Sequence, residues 1–142
     1  MSSEAASNFL AYWGAGLSTL LAAVKLFEAW KNRFRIDVSY NFAGDMNVGN
    51  KIYIRNLSSH PIIIEYWEIL YCSGRWPRRK FDAIAYPDHD INDQRIEAHS
   101  TCTLHFSEEN YFPWGHKALQ GRRIFIRLHI AGKKSLLKKV YP

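Results

Sequence analysis

Cysteine is scarce. The 142-residue chain has two, Cys72 and Cys102, too few for a disulfide-dense secreted scaffold and without the CxxC spacing of a zinc or dithiol centre. A bridge between them is confined to an oxidising compartment. Basic residues are missing from the N-terminal end, where none precedes Lys25. A secretory signal peptide needs a basic start and a small-residue cleavage site, so the apolar run that follows is not read as one. Catalytic fingerprints are missing as well. No GxSxG elbow, P-loop, HExxH helix or Rossmann glycine pattern occurs, which removes the common routes to an activated nucleophile, a cradled phosphate or a metalloprotease zinc. There is no internal repeat or low-complexity tract. The chain is expected to be non-enzymatic and to need no cofactor. Long apolar runs are few: the chain has one, Phe9–Trp30.

What is present is an apolar and aromatic chain with a basic excess. Hydrophobic residues make up 47%, enough for a packed core and too many for a disordered chain. Aromatics reach 15%, and with the many isoleucines they favour strands. The net charge of +6 suits an anionic partner such as an acidic lipid surface or nucleic acid.

As a helix, Phe9–Trp30 would be about 33 Å long, close to the hydrocarbon thickness of a bilayer. Its charge-free part, Phe9–Val24, is shorter, roughly 24 Å. Lys25 and Glu28 fall in the last turns, where a lysine can snorkel to the headgroups. Tyr12, Trp13 and Trp30 stand near the two ends, at the depth of an interfacial belt. The chain is thus divided into a polar tail over 1–8, a transmembrane helix over 9–30, a basic linker over 31–35 and a β-domain over 34–142. Lys31, Arg33 and Arg35 follow the helix and no basic residue precedes it, so the positive-inside rule places the C-terminal domain in the cytoplasm and the N-terminus outside. The membrane would be the inner one. Gly14, Ser18, Lys25 and Glu28 share one stripe of the helix, and Gly14-xxx-Ser18 is a small-xxx-small pair. That stripe is a candidate for self-association or for pairing with a second membrane protein. The plainer reading is that small residues are common in membrane helices.

After Phe34 the period changes to two. Phe34, Ile36, Val38, Tyr40 and Phe42 point one way, and Ile52 and Ile54 repeat the pattern. Ile62–Cys72 is the strongest strand, with a slip near Tyr66-Trp67 that predicts a bulge. Arg75–Tyr86 reads as an edge strand, and short strands follow around Arg95–Ala98 and Thr101–Phe106. Ser107–Gln120 predicts a loop with one helical turn, capped at Ser107. Arg122–Ile130 alternates cleanly, with Ile124, Ile126, Leu128 and Ile130 on one face. Seven to eight short strands at this spacing predict an immunoglobulin-like antiparallel β-sandwich.

The order of an apolar helix, a basic exit, FRIDVSY, KIYIRNLSSHPIIIEYW, RIEAHSTCTLHF and RRIFIRLHI resembles a group of small uncharacterised bacterial proteins. Each has one N-terminal membrane helix and an immunoglobulin-like sandwich. In that group an Arg-Asn pair leads through a proline loop to a strand carrying a tryptophan. The matching positions are Arg55, Asn56, Pro61 and Trp67. The resemblance implies a fold and an anchor, and no activity.

Three clusters invite a chemical reading. His99-xx-Cys102-xx-His105 has ligand-type residues, but on a regular strand the histidines lie about 20 Å apart with the thiol opposite, beyond one zinc. Asp88–Asp93 echoes the start of an EF-hand loop without its turn glycine or closing glutamate, and reads better as a solvated loop. Glu65 and Glu68 are not placed as an acid/base couple. No metal is expected.

Basic residues gather in three groups: Arg75, Arg78, Arg79 and Lys80; Arg122, Arg123 and Arg127; and Lys133, Lys134, Lys138 and Lys139. The candidates for contact with an anionic surface or ligand are Arg78, Arg79, Lys80, Arg123 and Arg127. On a membrane-tethered domain each would gain about 1 kcal/mol near anionic headgroups. A weaker reading is nucleic acid, with an outward Phe125 as stacking platform. The plainest is solubility and protection of strand edges. Together these features point to a non-enzymatic binding or adaptor module, anchored in the bilayer by its span, that presents its sandwich at the cytoplasmic face of the membrane and holds a protein partner there. The alternative is a sensor or effector subunit whose sandwich binds a small anionic, nucleotide-like ligand while the helices oligomerise. A pocket lined by Arg78, Arg123 and Arg127 would favour the alternative.

Overall fold

The computed structural model describes residues 3–88 and 93–142. The chain divides into two compact units, Met1–Phe34 and Arg35–Pro142.

The first unit is one helix, α1 (Ser3–Lys31), about 43 Å long by its 29 residues. It begins ahead of the apolar run, so residues of the polar segment before Phe9 are helical, and Lys31 closes the helix instead of opening the linker. Glu4 lies in its first turn and Lys31 in its last, the signs the helix dipole favours. None of its residues is buried. The polar groups of the stripe are satisfied within the helix itself. Ser18 Oγ donates to the Gly14 carbonyl at 2.8 Å, and Lys25 Nζ meets Glu28 Oε2 at 3.0 Å. The stripe therefore carries no unmet polar demand for a partner. This helix is long and apolar enough to cross a bilayer.

Among the described residues, the second unit is an antiparallel sandwich of eight strands in two sheets. One sheet has the order β1 (Ile36–Asn41), β2 (Asn50–Asn56), β6 (Thr101–Phe106). The other has the order β4 (Lys80–Ala85), β3 (Ile62–Ser73), β7 (Arg123–Ile130), β8 (Leu136–Tyr141), with β5 (Gln94–Ile96) also pairing β3. This connectivity is consistent with the expected immunoglobulin-like sandwich. Alternation sets the core: Ile52, Ile54, Ile69, Ile124, Ile126 and Leu128 are fully buried between the sheets.

The slip in β3 is real. Its pairing with β7 shifts between Ile64 and Tyr66, which leaves Glu65 exposed at the bulge. Trp67 then turns inward against Phe106, with ring centroids 5.4 Å apart. Tyr40 stands on the same side as Ile36 and Val38, opposite Ile52, but is 43% exposed because β1 is an outer strand; Phe42 and Tyr141 pack against its ring. One expectation is corrected. Ser107 makes no side-chain cap; a single 3₁₀ turn (Glu108–Asn110) follows it, and the short helix α2 (His116–Leu119) starts from Gly115.

Strand directions give the sandwich two ends. Arg35 enters at the near end, beside the loops 57–61, 97–100 and 131–135. At the far end lie the loops 42–49, 74–79 and 107–122. Two buried asparagines tie these ends. Near the entrance, Asn56 Nδ2 donates to the carbonyls of His60 and Glu97, at 2.8 and 3.2 Å, and its Oδ1 accepts from Ser58 N–H. At the far end Asn50 Nδ2 donates to the Phe112 carbonyl at 2.7 Å while Oδ1 accepts from Ala43 N–H. Tyr111 Oη and Trp114 Nε1 both donate to the Ala43 carbonyl. Gly49, at φ +75°, must be glycine, since a Cβ there would sit 2.6 Å from the Phe106 carbonyl oxygen.

Candidate functional surface

The first basic group is built on the β3–β4 hairpin. Ser73 pairs with Lys80, so residues 74–79 form its loop. Gly74, at φ +81°, lets the chain fold back on itself, and a Cβ would meet the Arg78 carbonyl oxygen at 2.5 Å. The Gly74 carbonyl is held by Arg123 Nη2 at 2.8 Å, from the start of β7. Trp76 at the loop is 78% exposed.

Behind the loop, the outer face of the five-stranded sheet carries a small apolar cluster of Leu70, Cys72 and Phe125, with Phe81 against it. Phe125 points away from the main core, as alternation predicts, yet it is only 6% exposed. Arginines cover it. The Arg79 and Arg123 guanidinium groups lie 5.8 and 6.0 Å from its ring centroid, and Arg127 lies 5.8 Å from that of Phe81. Arg127 Nη1 also bonds Glu68 Oε2 at 2.9 Å. A covered Phe125 has no face left for a base, which removes the stacking-platform reading.

Of the five candidate contact residues, the fold thus gathers Arg79, Arg123 and Arg127 around two phenylalanines. Arg78 stands exposed on the loop above them. Lys80 is set apart, since it precedes Phe81 on β4 and alternation sends it to the other side of the strand. Arg122, expected to join Arg123 and Arg127, does something else. Its guanidinium donates to the Leu119 and Ala118 carbonyls at 2.9 and 2.8 Å, closing α2, and lies 4.4 Å over the Tyr71 ring. Burial raises the Tyr71 pKa, and Arg122 opposes that shift. Lys31 ends α1 and Arg33 follows it, while Arg35 begins the sandwich, its backbone N–H held by Ser58 Oγ at 3.0 Å.

Two hollows lie at the β3–β4 margin. One, of about 450 Å³, opens between the two sheets and is lined by Trp67, Tyr86, Asp88, His105, Glu109 and Tyr111 among others. The second, of about 400 Å³, is lined by Glu65, Tyr66, Glu68, Tyr86 and Asp88. Neither is lined by any of the candidate arginines.

The remaining clusters separate. His99 sits in the turn before β6 at φ +56°, and the His105 ring shares a 2.8 Å hydrogen bond with the Val48 carbonyl. Among the described residues no three His, Cys, Asp or Glu side chains gather as a metal site. Residues 89–92 of the EF-hand-like stretch lie outside the described residues. Cys72 and Cys102 are both free and buried. Burial pushes the Cys102 thiol up from its ordinary pKa. Its contribution to stability is therefore full below the ordinary thiol pKa and is lost as pH rises through the folded value. At pH 8 a disulfide reagent such as DTNB is expected to leave both thiols untouched in the native protein and to titrate both in denaturant. Prompt native labelling of Cys102 would contradict its burial.

No family model matches the chain, and no curated protein matches it.

Proposed function

We propose that the protein is a single-pass, non-enzymatic binding module of the inner membrane, whose sandwich is presented to the cytoplasm for a protein partner. One observation carries this reading: α1 has no buried residue, although the sandwich that follows has a complete core of its own. An apolar helix left out of the domain's core demands lipid or protein around it. Lys31, Arg33 and Arg35 supply the charge asymmetry for a cytoplasmic domain. The kinship with small bacterial anchored sandwiches belongs to the same reading. Partner binding is supported by β6, which among the described residues pairs with β2 alone and lies beside the 450 Å³ hollow. An extended segment added to β6 would hydrogen-bond along that edge and seat side chains over Trp67 and Tyr111. The alternative, a sensor for a small anion, has less support, because Arg79, Arg123 and Arg127 are engaged by rings and by Glu68 and line no hollow described above.

The test is topological. In cells the full chain is expected to stay in the membrane pellet after alkaline extraction. A cysteine placed at Ser3 is expected to react with an impermeant maleimide in intact cells, and one at exposed Ser135 only after lysis. Recovery in the soluble fraction would remove the anchor, and reversed labelling would remove the orientation.

A further inference from the structure

Resting on that anchored reading, we propose that the outer face of the five-stranded sheet, with the Trp76 loop as its leading edge, docks on the anionic phospholipid surface to which α1 tethers the domain. Strand register defines the face. Arg123, Phe125 and Arg127 of β7 stand beside Cys72, Leu70 and Glu68 of β3, and Lys139 of β8 stands beside Phe125. Arg79 joins them over Phe125. The loop at the far end adds Arg75 and Arg78, and the β7–β8 loop at the near end adds Lys133 and Lys134. Basic residues therefore stand at both ends of β7, which is about 26 Å long, and at Arg123 and Arg127 within it, with Tyr66 and His129 between Arg127 and the near-end lysines. Among the described residues, Glu65, Glu68 and Asp88 line the second hollow, and Glu68, which stands beside Arg127 on the face, is paired with it. On the outer face of the other sheet the charged side chains are Lys51, Arg55 and Asp37, the last two 3.8 Å apart.

A stripe this long fits an extended planar anion better than a point ligand. Arg79, Arg123 and Arg127 are engaged by the rings, the Gly74 carbonyl and Glu68, so on this face they add positive potential, and direct phosphate contact falls to the exposed loop residues Arg75 and Arg78. Trp76, largely exposed on the loop that carries Arg75 and Arg78, has the amphipathic ring that settles at headgroup depth. The tether supplies the rest. A short connection between Lys31 and Arg35 keeps the domain at high effective lipid concentration, so a weak contact is populated. The same chemistry could meet an acidic protein, but such a partner would not be guaranteed at this concentration.

The test uses the full chain in nanodiscs of phosphatidylcholine alone or mixed with phosphatidylglycerol, with brominated lipids as quenchers. In the mixed discs the wild-type chain is expected to show more quenching than Trp76→Phe, which keeps Trp13 and Trp30 in the helix. The difference is expected to vanish in phosphatidylcholine discs, in high salt, and in Arg75→Glu/Arg78→Glu, a variant on the loop that touches neither phenylalanine ring. Equal quenching of wild type and Trp76→Phe in the mixed discs overturns the lipid assignment and leaves the loop to an acidic protein. Failure of the chain to enter either disc would instead overturn the anchored reading, and docking with it.

Discussion

Replacing Asn56 by aspartate is expected to leave the sandwich unfolded or barely folded at neutral pH. Asn56 is fully buried where β2 ends. Its Nδ2 serves the carbonyls of His60, Ile96 and Glu97, and its Oδ1 serves the Ser58 N–H. One side chain thus fastens the β2–β3 loop to the β5–β6 turn. Alanine would orphan these groups at once. At about 1–3 kcal/mol for each buried group left unmet, and allowing some to reach water, the cost is about 3–5 kcal/mol. A domain of this size has only about 5–15 kcal/mol to lose. Aspartate is worse, because its ionised carboxylate would face three carbonyl oxygens. Folding can then proceed only with the acid protonated, so its folded pKa lies above the ordinary carboxyl value. The sign follows: stability is greatest below the unfolded pKa and falls by about 1.4 kcal/mol per pH unit as pH rises toward the folded one. Urea unfolding of the full chain in detergent, at pH 4 and pH 7, measures this. An Asn56→Asp chain with a midpoint at pH 7 as high as at pH 4 would refute the role of Asn56 as donor.

Asn56 also marks the limit of what the sequence makes legible. It stands between a strand and a polar, proline-containing loop, where asparagine is ordinary. Nothing local says that its amide will meet carbonyls from residues some forty positions downstream. Asn50 is the same case, its partner being Phe112. The signals present were the period of two, which puts Asn50 and Asn56 in phase with Ile52 and Ile54, and the Arg55-Asn56 pair, and neither names a partner. By contrast β2, β6 and β7 could be read directly, because each has one face in the core and the period of two is a local property. The helix was legible from composition alone.

The candidate surface was half legible. Alternation turned Phe125 away from the main core correctly, but outward is not the same as exposed. Whether a side chain on the second face is covered depends on what pairing brings beside it. Here β3 and the β4 hairpin bring Phe81 and Arg79. Arg122 and Arg123 show the same limit at adjacent positions. One precedes β7 and turns back to close α2, while the other opens the strand and holds the Gly74 carbonyl. Charge counting treats them alike, and topology separates them.

The second large effect expected is on the anchor, from Leu17→Arg. Leu17 lies inside the uncharged part of α1, residues 5–24, roughly 30 Å long and so about the thickness of a bilayer core. On insertion scales an arginine at the centre costs about 2.5–3.5 kcal/mol, and the lost leucine adds about 0.5, so partitioning falls on the order of a few hundredfold. The native helix has its own polar cost in Lys25 and Glu28, reduced because they lie in its last turns and because the two are paired at 3.0 Å. Lys25→Leu is therefore expected to strengthen insertion, since it removes the charge nearer the helix centre and adds an apolar side chain. Alkaline extraction of membranes should rank retention as Lys25→Leu, then wild type, with Leu17→Arg in the soluble fraction. A Leu17→Arg chain retained as well as wild type would mean that the helix lies along the interface, where an arginine on its polar side costs little. The docking of Trp76 would then lose the span that brings it to the lipid.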